Sequence, residues 1–277
     1  MVRRRLRRLW ATPAARLGLG LLLAYGLVAV AAPVLAPCPA DQRRTCADDP
    51  YLVPRDGFAA DPRPPGPGHP LGTTARQFDL LYGLVWGTRT AFKVSLLITL
   101  PALLLGVVVG GVAGYLGGWV DELLMRVVEV FMAFPFFLAA VTLATVLRAE
   151  TGLAGSPLPA MLALMAFGWM GYARLVRAEV LSVREREFVW ASRALGVGPL
   201  GSLLRHVLPN TVMPVFVVGM MDIGTTVLSF AALSFFGLGV PDGYADWGQL
   251  LSHARSRIPS LSTEWHIVVF PGLAVSL

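Results

Sequence analysis

The chain has 277 residues, of which 55 % are hydrophobic and 14 % charged, and its mean hydropathy is +0.64. A water-soluble domain carries roughly a quarter charged residues, so this composition excludes an ordinary soluble fold and calls for lipid as a solvent. Lys and Arg outnumber Asp and Glu by 23 to 17. The basic residues flank apolar runs instead of forming a stripe interleaved with aromatics, which excludes nucleic acid as a partner and matches the Arg/Lys bias of cytoplasmic membrane loops.

A helix crosses a bilayer with about 20 apolar residues. Residues 17–36 are uncharged and predict a first span. Residues 94–120 predict a second, 130–147 (between Glu129 and Arg148) a third, 151–173 (up to Arg174) a fourth, and 207–241, interrupted only by Asp222, a fifth. A sixth run starts near Ile267 and is still apolar at Leu277, too short to span, and reads as a helix cut short. The expected fold is all-α and integral to the membrane, with about six transmembrane helices. Residues 1–36 form a cytoplasmic N-terminus and anchor, 37–75 an extracytoplasmic linker, and 76–277 the transmembrane domain.

Arg3, Arg4, Arg5, Arg7 and Arg8 precede the first span and place the N-terminus in the cytoplasm. Alternation puts 37–92 outside, 117–127 inside, 148–157 outside, 178–210 inside and 239–264 outside. Arg184, Arg186, Arg193 and Arg205 in the 178–210 loop agree with this; Arg43, Arg44, Arg55, Arg63 and Arg76 do not, but long translocated segments obey the rule poorly. A cleaved signal peptide is the alternative for the first span, yet its apolar run exceeds the usual ~7–15 residues. Pro37, where a small residue would be needed, argues against lipoprotein cleavage at Cys38. Cys38 and Cys46 fit either a disulfide formed outside the cytoplasm or two free thiols. No Cys or His cluster supplies the four ligands of a zinc site, so no metal is expected. Pro62, Pro64, Pro65 and Pro67 make 37–68 an irregular linker, and 76–92 reads as an interfacial helix leading into the second span.

Within the spans, Gly106, Gly110, Gly111 and Gly114 offer small residues for close helix packing, against a partner chain or within this one. Pro135 predicts a simple kink. Asp222 is an intramembrane acid, and such acids face a cavity or a partner. It lines a path and meets amines or metal cations, or it makes a helix–helix hydrogen bond, or it is protonated. His69 and His253 read as lone structural histidines. There is no Gly-x-x-x-x-Gly-Lys-Ser/Thr loop, no His-Glu-x-x-His and no Gly-x-Ser-x-Gly. The chain is therefore not expected to be an enzyme, and any ATP must be bound elsewhere.

The segment 185–210 carries the most information. Its first part is a good helix former with Phe188, Val189, Ala191, Ala194 and Leu195 on an apolar side, and Ala191, Ser192 and Ala194 are small enough for close approach. Gly196, Val197, Gly198 and Pro199 stop that helix. A second short helix over 200–207 follows, and Leu208, Pro209 and Asn210 redirect the chain into the fifth span. A helix–turn–helix of this kind suits a cytoplasmic protein partner better than a transported solute.

This loop resembles the Glu-Ala-Ala loop of ABC-importer permeases, with Ala191, Ser192, Gly196, His206, Leu208 and Pro209 at matching positions and Trp190 where the pattern has Glu. Arg193, Ala194, Leu195 and Gly196, with Arg205, His206, Leu208, Pro209 and Asn210, are closest to the second permease of the dipeptide/oligopeptide/nickel group. So are His-Pro-Leu-Gly-Thr at 69–73, Asp79, Gly87, Arg89, residues 233–239, Trp247, Gly248 and residues 270–274. Thr74, Gln77, Phe78, Asp222 and Phe230 depart from the group's usual residues. The resemblance implies a multi-pass permease of the bacterial inner membrane, working with a second homologous permease, two cytoplasmic ATPase subunits and an extracytoplasmic substrate-binding protein. It implies no cofactor in this chain, ATP and Mg being bound by the ATPases, and makes 190–210 the ATPase-coupling region. Peptide, nickel and sugar all remain open as solutes. A self-contained secondary transporter would show two halves of related hydropathy, which this sequence does not, and a membrane anchor with no transport role is the third reading.

Overall fold

A computed structural model describes residues 13–39, 46–55, 57, 61–153, 155–260 and 262–277. The N-terminal arginines and Arg43 and Arg44 lie outside the described residues, and so does the charge argument for orientation that rests on them. No strand occurs among the described residues, only isolated bridges such as Leu52 with Tyr244. The helices are α1 (Pro13–Leu35), α2 (Leu80–Leu116), α3 (Gly118–Met132), α4 (Phe136–Glu150), α5 (Leu158–Gly168), α6 (Met170–Arg184), α7 (Glu187–Ala194), α8 (Pro199–Ser202), α9 (Leu208–Phe235), α10 (Trp247–Ala254) and α11 (His266–Ser276). Among the described residues, four helical stretches are long and apolar enough to cross a membrane: Arg16–Leu35, Leu80–Leu116, Leu158–Arg184 and Pro199–Phe235. The bent pair α3–α4 makes a fifth if counted as one span.

Several boundaries differ from the expectation. Residues 76–92 are not a separate interfacial helix, because α2 starts at Leu80 and runs unbroken to Leu116. It ends where Gly117 takes a φ of 67°, a conformation that costs glycine least. The expected turn at 117–127 is helical, and the third span is not one rod: α3 and α4 meet at an 83° bend. Pro135 caps α4 and cannot donate back into α3, so the apolar run 130–147 is broken at its own proline. This is a break, larger than a simple kink. The fourth span starts later and ends later than the uncharged run, because α6 continues through Arg174, Arg177 and Glu179 to Arg184.

The chain divides into two compact units, Met1–Lys93 with Ser234–Leu277, and Val94–Leu233. In the first, Cys38 and Cys46 form a disulfide. The His-Pro-Leu-Gly-Thr motif folds the entry to α2. His69 Nδ1 lies 2.7 Å from Asp79 Oδ2, so His69 is paired and not lone. Gly72 has a φ of 81°, and a Cβ there would meet Arg63 O at 2.6 Å and the buried His266 ring at 2.8 Å. His253 is also partnered, by Asp242 at 3.1 Å.

Asp246 caps α10 and accepts from the Gln249 amide at 2.9 Å. Burial pushes its carboxyl up to about 6, against the opposing pull of the Gln249 and Gly248 amides. The folded state therefore holds this proton to higher pH than the unfolded chain, and stability falls between about pH 4 and 6, by roughly 3 kcal/mol at its fullest, then levels off. Asp246→Asn keeps the cap and is expected to flatten that slope, as read from unfolding midpoints in detergent across pH 4 to 7.

In the second unit, Gly106, Gly110 and Gly114 sit one turn apart along α2 and face α6. A Cβ on them would meet Trp169 O at 2.8 Å, Ala173 O at 2.2 Å and Arg177 O at 2.9 Å respectively. The glycine face therefore packs within this chain, which settles that alternative. Gly111 points elsewhere, toward Leu208.

Candidate functional site

The segment 185–210 folds as a helix–turn–helix, with differences in detail. Glu185 ends α6, and α7 begins at Glu187. The stop after α7 is made by Gly196 at a φ of 85°. Its amide donates to Arg193 O at 2.9 Å, and the Val197 amide donates to Ser192 O at 3.1 Å. This pair of bonds is a Schellman cap, which satisfies carbonyls the helix end would otherwise leave bare.

The second limb does not turn at Leu208, Pro209 and Asn210. Residues Leu203–Val207 form a π-helical turn, the Leu208 amide donating to Leu203 O five residues back. Pro209 has no amide to continue the ordinary ladder, and a widened turn just before it lets the helix pass without a corner. The Asn210 amide side chain donates to His206 O at 2.6 Å, and the Thr211 hydroxyl to Leu208 O at 2.9 Å. The stretch Pro199–Phe235 is thus one helical run from the loop into the span.

The two faces of the loop differ. Val189 is fully buried and packs with Val176, Val180, Val183, Leu203 and Val207. Ser192 is buried with it, its hydroxyl donating to Val189 O at 2.8 Å. The expected apolar side is therefore split: Val189 turns inward with Ser192, while Phe188, Ala191, Ala194 and Leu195 turn outward. On that outer face Trp190 is 54 %, Leu200 68 % and Leu195 85 % exposed. The Arg193 guanidinium lies 5.1 Å from the Tyr115 ring centre and 5.3 Å from that of Trp190. Arg205 and Pro209 are exposed, and His206 is half-buried.

Two contacts that sequence reading missed fix the helices under the loop. Arg177 on α6 holds Asp121 on α3 by two bonds, Nε–Oδ1 at 2.5 Å and Nη2–Oδ2 at 2.6 Å. Arg184 reaches back to Gly114 O at 2.7 Å. The residues of the first pair are 56 positions apart, and no local pattern announces them.

Asp222 sits on α9 and lines a cavity of about 370 Å³ with Thr225, Thr226, Ser229, Thr99 and Tyr172. On a helix, positions i, i+3, i+4 and i+7 share one side, so the four α9 residues form a polar stripe in an apolar span. Thr226 and Thr99 link hydroxyls at 3.1 Å, and Tyr172 lines the same cavity as Asp222. The stripe was readable from spacing; Thr99 and Tyr172 were not.

A profile of the family described as binding-protein-dependent transport system inner membrane component matches residues 106–277. The chain belongs to that family. The dipeptide transport system permease protein of Bacillus subtilis is 31 % identical over 271 residues, covering 98 % of this chain and 78 % of that protein. The glutathione transport system permease protein of Pectobacterium atrosepticum is 32 % identical, covering 82 % and 74 %. The nickel transport system permease protein of Escherichia coli is 36 % identical, covering 76 % and 73 %. In this permease the matched region takes in the whole loop, the broken α3–α4 pair and Asp222, while Ile98, Thr99 and Ala102 of the cavity lie just before it.

Proposed function

We propose that this permease subunit works in an ATP-driven importer for peptides or a related small solute, and that its 185–210 loop docks a cytoplasmic ATPase. The loop's division of labour carries this reading: one face is nailed to α6, and the other holds large apolar side chains out of any core. Exposed Trp190, Leu195 and Leu200 supply the rigid apolar anchors that protein interfaces favour. Small Ala191 and Ala194 between them let a partner helix come close. Two ATPases supply ATP and Mg chemistry, a second homologous permease completes the path, and an extracytoplasmic binding protein delivers solute. The N-terminus then lies in the cytoplasm and the chain in the bacterial inner membrane. The dipeptide and glutathione permeases among its relatives favour a peptide-like solute.

The test is co-purification from membranes in mild detergent of tagged chain, wild type and Leu195→Asp/Leu200→Asp. The wild type is expected to bring down an ATPase and a second permease. The double variant is expected to lose the ATPase by tenfold or more, each charge costing about 1–2 kcal/mol at a desolvated contact, while keeping the permease. Equal ATPase recovery in both would rule the loop out as the docking face.

A further inference from the structure

We propose that the cavity around Asp222 is a binding site inside this subunit for a singly charged ammonium group, the amine end of the transported solute. This rests on the importer reading for its physiological meaning, but not for its chemistry. Among the described residues Asp222 has no ion pair. The nearby arginines of α6 are engaged elsewhere, Arg177 with Asp121 and Arg174 with Met132 Sδ at 3.6 Å. An ionised carboxylate in a lipid-embedded helix without a counter-charge is costly, and a cation from solution removes that cost.

The remaining lining says which cation. Hydroxyls of Thr99, Thr225, Thr226, Ser229 and Tyr172 can each accept a hydrogen bond, and an ammonium group has three to donate. An anion would be repelled by the one full charge present. A divalent transition ion prefers imidazole, thiolate or several carboxylates, and the lining contains no His, no Cys and a single acid. Phe136 and Phe167 form part of the apolar remainder, which lowers the local dielectric and strengthens the charge pairing. One carboxylate, a ring of neutral acceptors and apolar walls match one positive charge on a small organic group.

The experiment reads the cavity's charge directly. Thr225→Cys places a thiol in the lining, and no other thiol competes, because Cys38 and Cys46 are bonded to each other. The full chain, in membranes, is labelled with a cationic and an anionic methanethiosulfonate of similar size. Each rate is divided by that reagent's rate with free cysteine. The corrected cationic-to-anionic ratio is expected to reach roughly tenfold, to fall to about one when Asp222→Asn is added, and to drop when n-butylammonium but not 1-butanol is present. A ratio near one with Asp222 in place, a ratio that Asp222→Asn leaves unchanged, or no labelling at all would overturn the proposal. Uptake of alanyl-alanine by the assembled importer is measured alongside. Its absence in the wild type with the labelling ratio intact would count against the peptide-importer reading and leave the cation site standing.

Discussion

Gly110→Ala is expected to leave little folded protein, whereas Gly111→Ala next to it is expected to behave nearly as wild type. The added methyl at 110 would sit 2.2 Å from Ala173 O and 3.0 Å from the Arg177 amide. Both obstacles are backbone atoms of α6, which cannot swing aside as a side chain can. The helices must part, and the close-packed contacts of Gly106 and Gly114 on the same face part with them. Overpacking of this kind costs about 3 kcal/mol or more. At 111 the added methyl would meet the Leu208 side chain at 3.3 Å, which can yield by a few tenths of an ångström. Monodisperse yield by size exclusion in detergent, with unfolding midpoints, compares the two. Equal loss at both positions would mean that α2 and α6 are not in this contact.

The second large effect is expected from neighbours on opposite faces of α7. Val189→Asp puts a carboxylate among the apolar side chains of Val180, Val183, Leu203 and Val207. An unpaired charge at a fully buried site is expected to cost about 3 kcal/mol or more, unless the loop lifts away to wet it. Phe188→Asp, on the exposed face, is expected to change stability by less than about 0.5 kcal/mol yet to weaken ATPase recovery. Thermal unfolding and ATPase co-purification on both variants give a crossed pattern: one variant loses the fold, the other the partner. If both lost stability equally, the loop would not have the two faces described here.

The apolar runs located α1 and the start of α9 well, because uninterrupted hydrophobic length is what a bilayer selects. They failed where composition and backbone disagree. Pro135 is as apolar as its neighbours and so did not interrupt the run 130–147, yet it lacks the amide that would have kept the helix whole. Conversely, Arg174 ended the expected fourth span although α6 continues ten residues beyond it. Arg177 is paired with Asp121 and Arg184 is bonded to Gly114 O, so these charges do not have to end the helix. The loop's turn was legible because Gly196 and Pro199 act locally. Its inner and outer faces were not, since Val189 and Phe188 differ only in what lies against them. The same holds for the cavity: Asp222 stands out in any reading of 207–241, while Tyr172 comes to it from a different helix.

The widened turn before Pro209 has a mechanical consequence. Because the chain turns no corner there, the loop's second limb and α9 form one continuous helical run. At 1.5 Å per residue, Asp222 lies about 20 Å along it from Leu208. A tilt imposed on the loop end is therefore carried along the helix toward the carboxylate, shifting it against Tyr172 and Thr99, which belong to other helices. Force applied outside the lipid would reach the amine's anchor as a change in its spacing, loosening the grip in the same stroke that moves the helix.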